Sequence, residues 1–108
     1  MSYLFFAGER EELKTIESEL RLCGQKVIPL SSIELNNSWT EAIQPIVFAI
    51  LSSTVVATAI QEYFKNKNTS ITIESEKDGE KLKITCPKSS VSEIKKMLID
   101  LNLIKSEK

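Results

Sequence analysis

The sequence predicts an α+β fold: a ferredoxin-like sandwich with a four-stranded sheet, helices on one face and one long apolar central helix. Short apolar or alternating runs at residues 3–7, 25–30, 71–76 and 81–86 have the length and side-chain period of strands. Amphipathic segments after the first and last of these strands have the spacing of helices. Residues 42–61 form the only long segment without a charged residue, which predicts the central helix. The order of the strands stays open.

Length and composition indicate one globular domain without the groups that chemistry most often uses. The chain has 108 residues, the size of a single domain, in three parts: residues 1–37, 38–68 and 69–108. Its charges nearly cancel to a formal net charge of −1, so no basic excess indicates nucleic-acid binding. The chain has no histidine, the commonest general base and metal ligand. We therefore expect no enzymatic activity and no catalytic, cofactor or metal site.

The cysteines and the N-terminus favour the cytoplasm. Cys23 and Cys86 are far apart and outside any CxxC spacing, which predicts two free thiols in a reducing compartment. No basic residue precedes the first apolar run, and that run is too short for a signal peptide. A cytoplasmic location is the expectation.

The first third of the chain predicts a strand, a helix and a second strand. Residues 3–7 form a short apolar run, and Leu13, Ile16 and Leu20 lie on one face of the helix that follows. Gly24 stands where a helix C-cap is expected, before the strand at residues 25–30. Such a unit is typical of a right-handed parallel βαβ connection.

A ligand site is one alternative for this region. Gly8, Glu9 and Arg10 stand at the start of the first helix, where backbone N–H groups can bind an anion or a nucleotide-type ligand. Glu11 and Glu12 follow directly, and their negative charges oppose such binding. A simple turn from strand to helix explains the same residues.

The central segment is predicted to be a helix buried on nearly all sides. Residues 38–41 read Ser-Trp-Thr-Glu, a capping box that predicts where the helix begins, and Pro45 predicts a bend. From Ile46 onward the apolar residues cover most of the helix circumference. Such a helix would span about 30 Å, whereas six-residue strands reach only about 20 Å. The excess length predicts a further partner: other helices, a second subunit or lipid.

A second subunit is the preferred partner, through a twofold contact between central helices. Small side chains in the segment would let a symmetry-related helix approach closely. Seven residues are the candidate oligomer interface: Phe48, Leu51, Ser52, Val55, Val56, Ala59 and Tyr63.

A membrane span is the competing interpretation of the same segment. Its uncharged length is about that of a bilayer span of ~20 residues, and Trp39 and Tyr63 flank it as interfacial aromatic residues do. Polar residues such as Gln44 and Ser53 oppose this interpretation. Ser52, Ser53 and Thr54 are not expected to be catalytic, because a serine nucleophile needs a base.

The last third predicts a hairpin and a closing helix. Apolar residues alternate with polar ones at residues 71–76 and 81–86, and an Asp-Gly pair at residues 78–79 is a strong hairpin signal. Residues 90–93 read Ser-Val-Ser-Glu, a second capping box, before a helix with one apolar face.

The order of the predicted elements over residues 57–101 is similar to that of a known protein family. A small-residue helix passes through Tyr63-Phe64-Lys65 into two strands with Asp-Gly at their turn, and a short helix follows. This order resembles the effector-associated constant component domains of bacterial conflict systems. That resemblance implies a small, non-enzymatic adaptor or sensor module. The cluster of arginines that this family carries after the helix is reduced here to Lys65 and Lys67.

Three functional hypotheses follow. The first is a non-catalytic interaction or adaptor module that self-associates through its central helix as a dimer and docks a partner protein. The second is a sensor for a small anion or nucleotide-type ligand. The third is a membrane-anchored accessory protein.

Overall fold

In the part of the chain that the structure describes, a five-stranded mixed sheet and three α-helices form an α+β fold. The computed structural model describes residues 2–29, 45–65, 71–75 and 80–105. In chain order the elements are β1 (Ser2–Gly8), α1 (Arg10–Leu22), β2 (Val27–Pro29), β3 (Ile46–Ser52), α2 (Thr54–Lys65), β4 (Thr72–Ser75), β5 (Lys81–Cys86), a 3-10 turn (Lys88–Ser90) and α3 (Val91–Asp100).

The strands lie in the order β2-β3-β1-β5-β4. The central strand β1 pairs antiparallel with β3 and parallel with β5. β2 pairs antiparallel with β3, and β4 pairs antiparallel with β5. β1 and β2 therefore run in the same direction but are separated by β3, so the first strand, helix and strand form a split unit.

The prediction of one long apolar helix is wrong. Ile46–Ser52 is strand β3, and the helix that follows is the separate, 12-residue α2. The sheet thus has five strands instead of the four of the predicted ferredoxin-like sandwich. The physical reason is burial on both faces of β3, where Phe48 belongs to one apolar cluster and Ala49 to another. A strand covered on both faces is apolar throughout, which hides its period of two.

Ser53 marks the break between the strand and the helix. The backbone N–H of Val56 donates to the Ser53 hydroxyl at 3.2 Å, as at a helix N-cap. Pro45 lies directly before β3, and its carbonyl accepts a hydrogen bond from the Gly8 N–H at 3.0 Å. The predicted capping box at residues 38–41 lies outside the described residues.

The remaining elements differ less from their predictions. β5 occupies residues 81–86 as predicted, and Gly24 has a φ of +85° just after α1. Residues 78–79 lie outside the described part, but β4 and β5 pair as a hairpin requires. Ser90 makes no side-chain capping bond to α3, contrary to the prediction of a capping box.

The three described helices pack on one face of the sheet. Alternate residues of the three middle strands form one buried cluster with side chains from α1, α2 and α3. Phe6 and Phe48 stack within it, with ring centroids 4.8 Å apart. A smaller cluster on the opposite face contains Phe5, Ala7 and Ile46. The first cluster fixes where α2 lies on the sheet.

Candidate interaction surface on helix α2 and strand β4

Helix α2 uses one narrow face for the core and leaves an apolar residue in solvent. Ala57, Ile60 and Phe64 are buried at the i, i+3, i+7 spacing of one helix face. On the outer side, Val55 is 78% exposed and Ala59 is half-buried. Because the sheet can contact only one face of α2, the apolar side chain of Val55 is left without a role in the core.

A groove separates α2 from β4. Its volume is about 520 Å³, and both elements contribute to its walls. A second, shallower depression of about 370 Å³ lies on the outer face of α2 and shares Thr58 and Glu62 with the groove. The two depressions therefore form one continuous surface, here named the α2–β4 surface. Its main residues are Val55, Thr58, Ala59, Glu62, Ile73 and Ser75.

The strand that borders this surface is at an edge of the sheet. β4 pairs with β5 on one side and has no second neighbour among the described strands. Thr72, Glu74 and Ser75 are exposed. An edge strand presents backbone N–H and C=O groups that can pair with another strand. The α2–β4 surface thus combines an apolar helix face, a groove and a strand edge.

The charges around β4 are mixed in sign. The Glu74 carboxylate lies 3.9 Å from the Lys83 ammonium, and the two residues are directly opposite each other in β4 and β5. The Lys83 side chain is only 4% exposed, so Glu74 supplies a counter-charge to a nearly buried cation. On the helix side of the groove, Glu62 and Lys65 are exposed and opposite in charge. No single charge dominates this surface.

The residues of the predicted oligomer interface are divided between the interior and the surface. Phe48 is fully buried and Ser52 is 6% exposed, so these two β3 side chains are not available to a second copy in this fold. Leu51 is half-buried on the same strand. The structure places the remaining four on α2: Val55, Val56, Ala59 and Tyr63.

The sequence alone does not predict the β4 side of the surface. The alternation at residues 71–75 predicts a strand, but its position at the sheet edge depends on strand order. Thr58 and Glu62 were missed for a related reason. Thr58 and Glu62 follow Val55 by three and seven residues, so all three lie on one face of a helix. In the structure this face belongs to the short helix that begins at Thr54.

The predicted ligand residues Gly8, Glu9 and Arg10 lie together at the start of α1, but their geometry has a structural cause. Gly8 has a φ of +150°, and a Cβ atom there would lie 2.5 Å from the Cys86 carbonyl oxygen. Glycine is therefore required by the close approach of β1 and β5. Glu9 makes no side-chain capping bond.

The charges at this helix end disfavour an anion. Glu11 and Glu12 occupy the first turn of α1, where their carboxylates already interact with the positive end of the helix dipole. The Lys88 ammonium lies 3.8 Å from the Glu12 carboxylate, so this nearby cation has a protein partner. The described residues therefore place negative charge where an anionic ligand would need positive charge.

The two cysteines differ in environment. Burial raises the pKa of the Cys86 thiol to about 12 from an ordinary 9.0, because the thiolate would be removed from water. This thiol stays protonated and unreactive at neutral pH. Cys23 is half-buried after α1, and its sulfur accepts a hydrogen bond from the Lys105 backbone N–H at 3.2 Å.

No metal site is expected from the sequence, whereas a membrane span is one interpretation of its central segment. Within residues 2–29, 45–65, 71–75 and 80–105, no group of three or more Cys, Asp or Glu side chains is placed to hold a metal ion. Among the helices of that same part of the chain, none has both the length and the apolar character that crossing a bilayer requires.

Comparisons of this chain with protein-family models, with curated proteins and with solved structures give no match.

Proposed function

We propose that this protein is a non-catalytic interaction module that self-associates as a dimer through the α2–β4 surface. The observation that supports this most directly is the continuity of that surface. A single exposed apolar side chain is ordinary on a soluble protein. Here Val55 is 78% exposed and lines a depression that continues into a groove of about 520 Å³ beside β4, a strand with no second neighbour among the described strands. Each of these features favours contact with another polypeptide.

The proposed occupant of this surface is a second copy of the chain. A twofold dimer brings the same surface of both copies into contact, so this surface must be complementary to itself in shape and charge. The α2–β4 surface meets this condition. The small side chains of Thr58 and Ala59 allow close approach, and Glu62 and Lys65 supply opposite charges within one patch.

An adaptor role in the cytoplasm is part of the same proposal. Helix α2, the β4–β5 hairpin and α3 follow one another in the order on which the resemblance to effector-associated constant component domains rests. A dimer of such a module would present two copies of its remaining surface to a partner protein. The anion-sensor and membrane hypotheses have no comparable support among the described residues.

The oligomeric state in solution tests the proposal. Sedimentation equilibrium over a wide concentration range should show a reversible dimer for the natural chain. Val55→Asp should weaken dimerisation by about tenfold or more, because a carboxylate would lose water in the contact. Leu22→Asp is the matched control, since Leu22 is also an apolar helical residue and is 84% exposed. That variant should dimerise as the natural chain does.

Two results would contradict the proposal. A natural chain that sediments as a monomer at every concentration has no self-association to explain. Equal dissociation constants for Val55→Asp and Leu22→Asp would place the dimer contact elsewhere on the molecule. Both variants change exposed positions, so circular dichroism should show the same folded spectrum for each.

A further inference from the structure

We infer that the two copies join edge to edge, with β4 of one copy pairing antiparallel with β4 of the other in a register centred on Ile73. The two five-stranded sheets then form one continuous sheet of ten strands. This inference rests on the proposed self-association and specifies its geometry. The first observation for it is that β4 has no second neighbour among the described strands.

β4 is better suited to this pairing than the opposite edge. β2, the other edge strand, is only three residues long and ends at Pro29, which has no N–H to donate. β4 has four residues, no proline and two β-branched residues, Thr72 and Ile73. Of the two edges in the described sheet, β4 therefore offers the more regular template.

The register follows from which face each side chain occupies. In an antiparallel pair, residues directly opposite each other project to the same face of the sheet. Ile73 packs against the cluster beneath the helices, and Glu74 pairs with Lys83 on the other face. In a twofold pair, only residues on the same face can therefore be opposite each other. The axis must then pass through a residue and not between two residues.

Charge selects among the remaining registers. An axis at Glu74 would place the two Glu74 carboxylates directly opposite each other, which is destabilising. Because β4 begins at Thr72, an axis at Thr72 would place Ile73, Glu74 and Ser75 of each copy opposite residues outside the β4 strand of the other copy. An axis at Ile73 pairs Thr72, Ile73 and Glu74 of one copy with the same three residues of the other, and it places no like charges opposite each other. It brings together the two Ile73 side chains and sets Thr72 opposite Glu74 of the second copy.

The size of the strand explains why α2 belongs to the same interface. Four residues of strand are about 13 Å long, at roughly 3.3 Å per residue. A strip of that length buries much less than the roughly 800 Å² per partner of a standard stable interface. The groove and the exposed face of α2 lie beside β4 and supply further area. Strand pairing fixes the register, and the helix face adds the burial that stability requires.

A charge substitution at Thr72 tests the register. Thr72 is exposed on the strand edge and, in this register, faces Glu74 of the second copy twice by symmetry. Thr72→Glu creates two like-charge pairs and should raise the dimer dissociation constant about tenfold, as measured by sedimentation equilibrium. Thr72→Lys creates two opposite-charge pairs and should lower the constant or leave it unchanged. Equal effects of the two substitutions would overturn the register.

Disulfide trapping gives an independent measurement. In a Cys23→Ser background, Ile73→Cys places the two new thiols directly opposite each other, at a Cα separation of roughly 4.5–5.5 Å that a disulfide can bridge. Ser75→Cys is the matched control. The two copies of residue 75 would be four residues apart along the strands, about 14 Å, which is too far. Mild oxidation should therefore link Ile73→Cys dimers and not Ser75→Cys dimers.

The outcomes separate this inference from the proposed function. A dimeric natural chain in which Ile73→Cys forms no linked dimer would overturn the edge pairing and leave self-association intact. A monomeric natural chain would overturn both.

Discussion

Replacing Gly8 should be among the most damaging single changes in the chain. The residue ends β1 beside Cys86 of β5, with a φ of +150°. A Cβ atom there would lie 2.5 Å from the Cys86 carbonyl oxygen, a backbone atom that moves only if β5 moves. The backbone conformation costs a residue with a side chain about 1–3 kcal/mol. The forced displacement costs about 1–3 kcal/mol more. Gly8→Ala should therefore lower the free energy of unfolding by about 2–6 kcal/mol.

Gly24 provides the matched control for this prediction. It also has a positive φ, +85°, but a Cβ atom there meets nothing within 4 Å. Gly24→Ala should therefore cost only the conformational part, about 1–2 kcal/mol. Urea unfolding followed by circular dichroism, at one protein concentration for all variants, measures both changes. Equal losses for the two variants would show that the contact between β1 and β5 is not what requires glycine at position 8.

Two further predictions concern buried and half-buried titratable groups. The folded state keeps the Cys86 proton up to a pKa of about 12, whereas the unfolded state releases it near 9.0. The free energy of unfolding should therefore fall as pH rises from about 9 towards 12, by up to about 1.4 kcal/mol per pH unit. Urea unfolding should show a smaller fall for Cys86→Ala. An unchanged fall in this variant would contradict the prediction. The Lys95 ammonium lies 2.9 Å from Glu19 between α1 and α3, and the second carboxylate oxygen of Glu19 is buried without a hydrogen-bond partner among the described residues. Lys95→Met should lower the free energy of unfolding by about 1–3 kcal/mol, because it leaves the Glu19 carboxylate without its cation. Lys88→Met removes the more exposed ion pair with Glu12 and should lower it by less than about 0.5 kcal/mol. Equal costs would mean that burial of Glu19 does not matter.

The elements that the sequence predicts well are those with local signals. The alternation at residues 81–86 matches β5, since apolar side chains point to the helix-covered face and the others to the opposite face. Helix α1 likewise follows the apolar spacing of Leu13, Ile16 and Leu20, and Gly24 ends it with the positive φ that favours glycine. In each case the information lies within a few residues of the element itself.

The prediction of one helix at residues 42–61 is wrong because the apolar pattern of this segment depends on distant partners. β3 pairs with β1 on one side and β2 on the other. It is apolar on both faces because a cluster of buried side chains covers each face. Nothing within the segment separates such a strand from a buried helix. The boundary between the strand and the helix is marked by the hydroxyl residues that follow β3. Ser53 is the N-cap of α2, whereas the prediction of a single helix places Ser53 in mid-helix and merges β3 with α2.

The candidate surface shows a similar dependence on long-range structure. Alternation at residues 71–75 indicates which side chains share a face, but it cannot place β4 at an edge. That position is set by β1 pairing with β5, strands separated by more than seventy residues. The exposure of Val55 also depends on where α2 begins.

The correction at β3 changes the reason for expecting a dimer. A single helix longer than the strands would need a further partner to cover it: other helices, lipid or, as preferred, a second subunit. Helix α2 has 12 residues and is about 18 Å long, which matches the reach of the strands and leaves no excess. Phe48, one of the residues of the predicted interface, belongs to the core instead. The proposed self-association now rests on the exposed Val55 and on β4, which has no second neighbour among the described strands. The expected dimer is accordingly an extended sheet with helices on one face, in place of two crossed central helices.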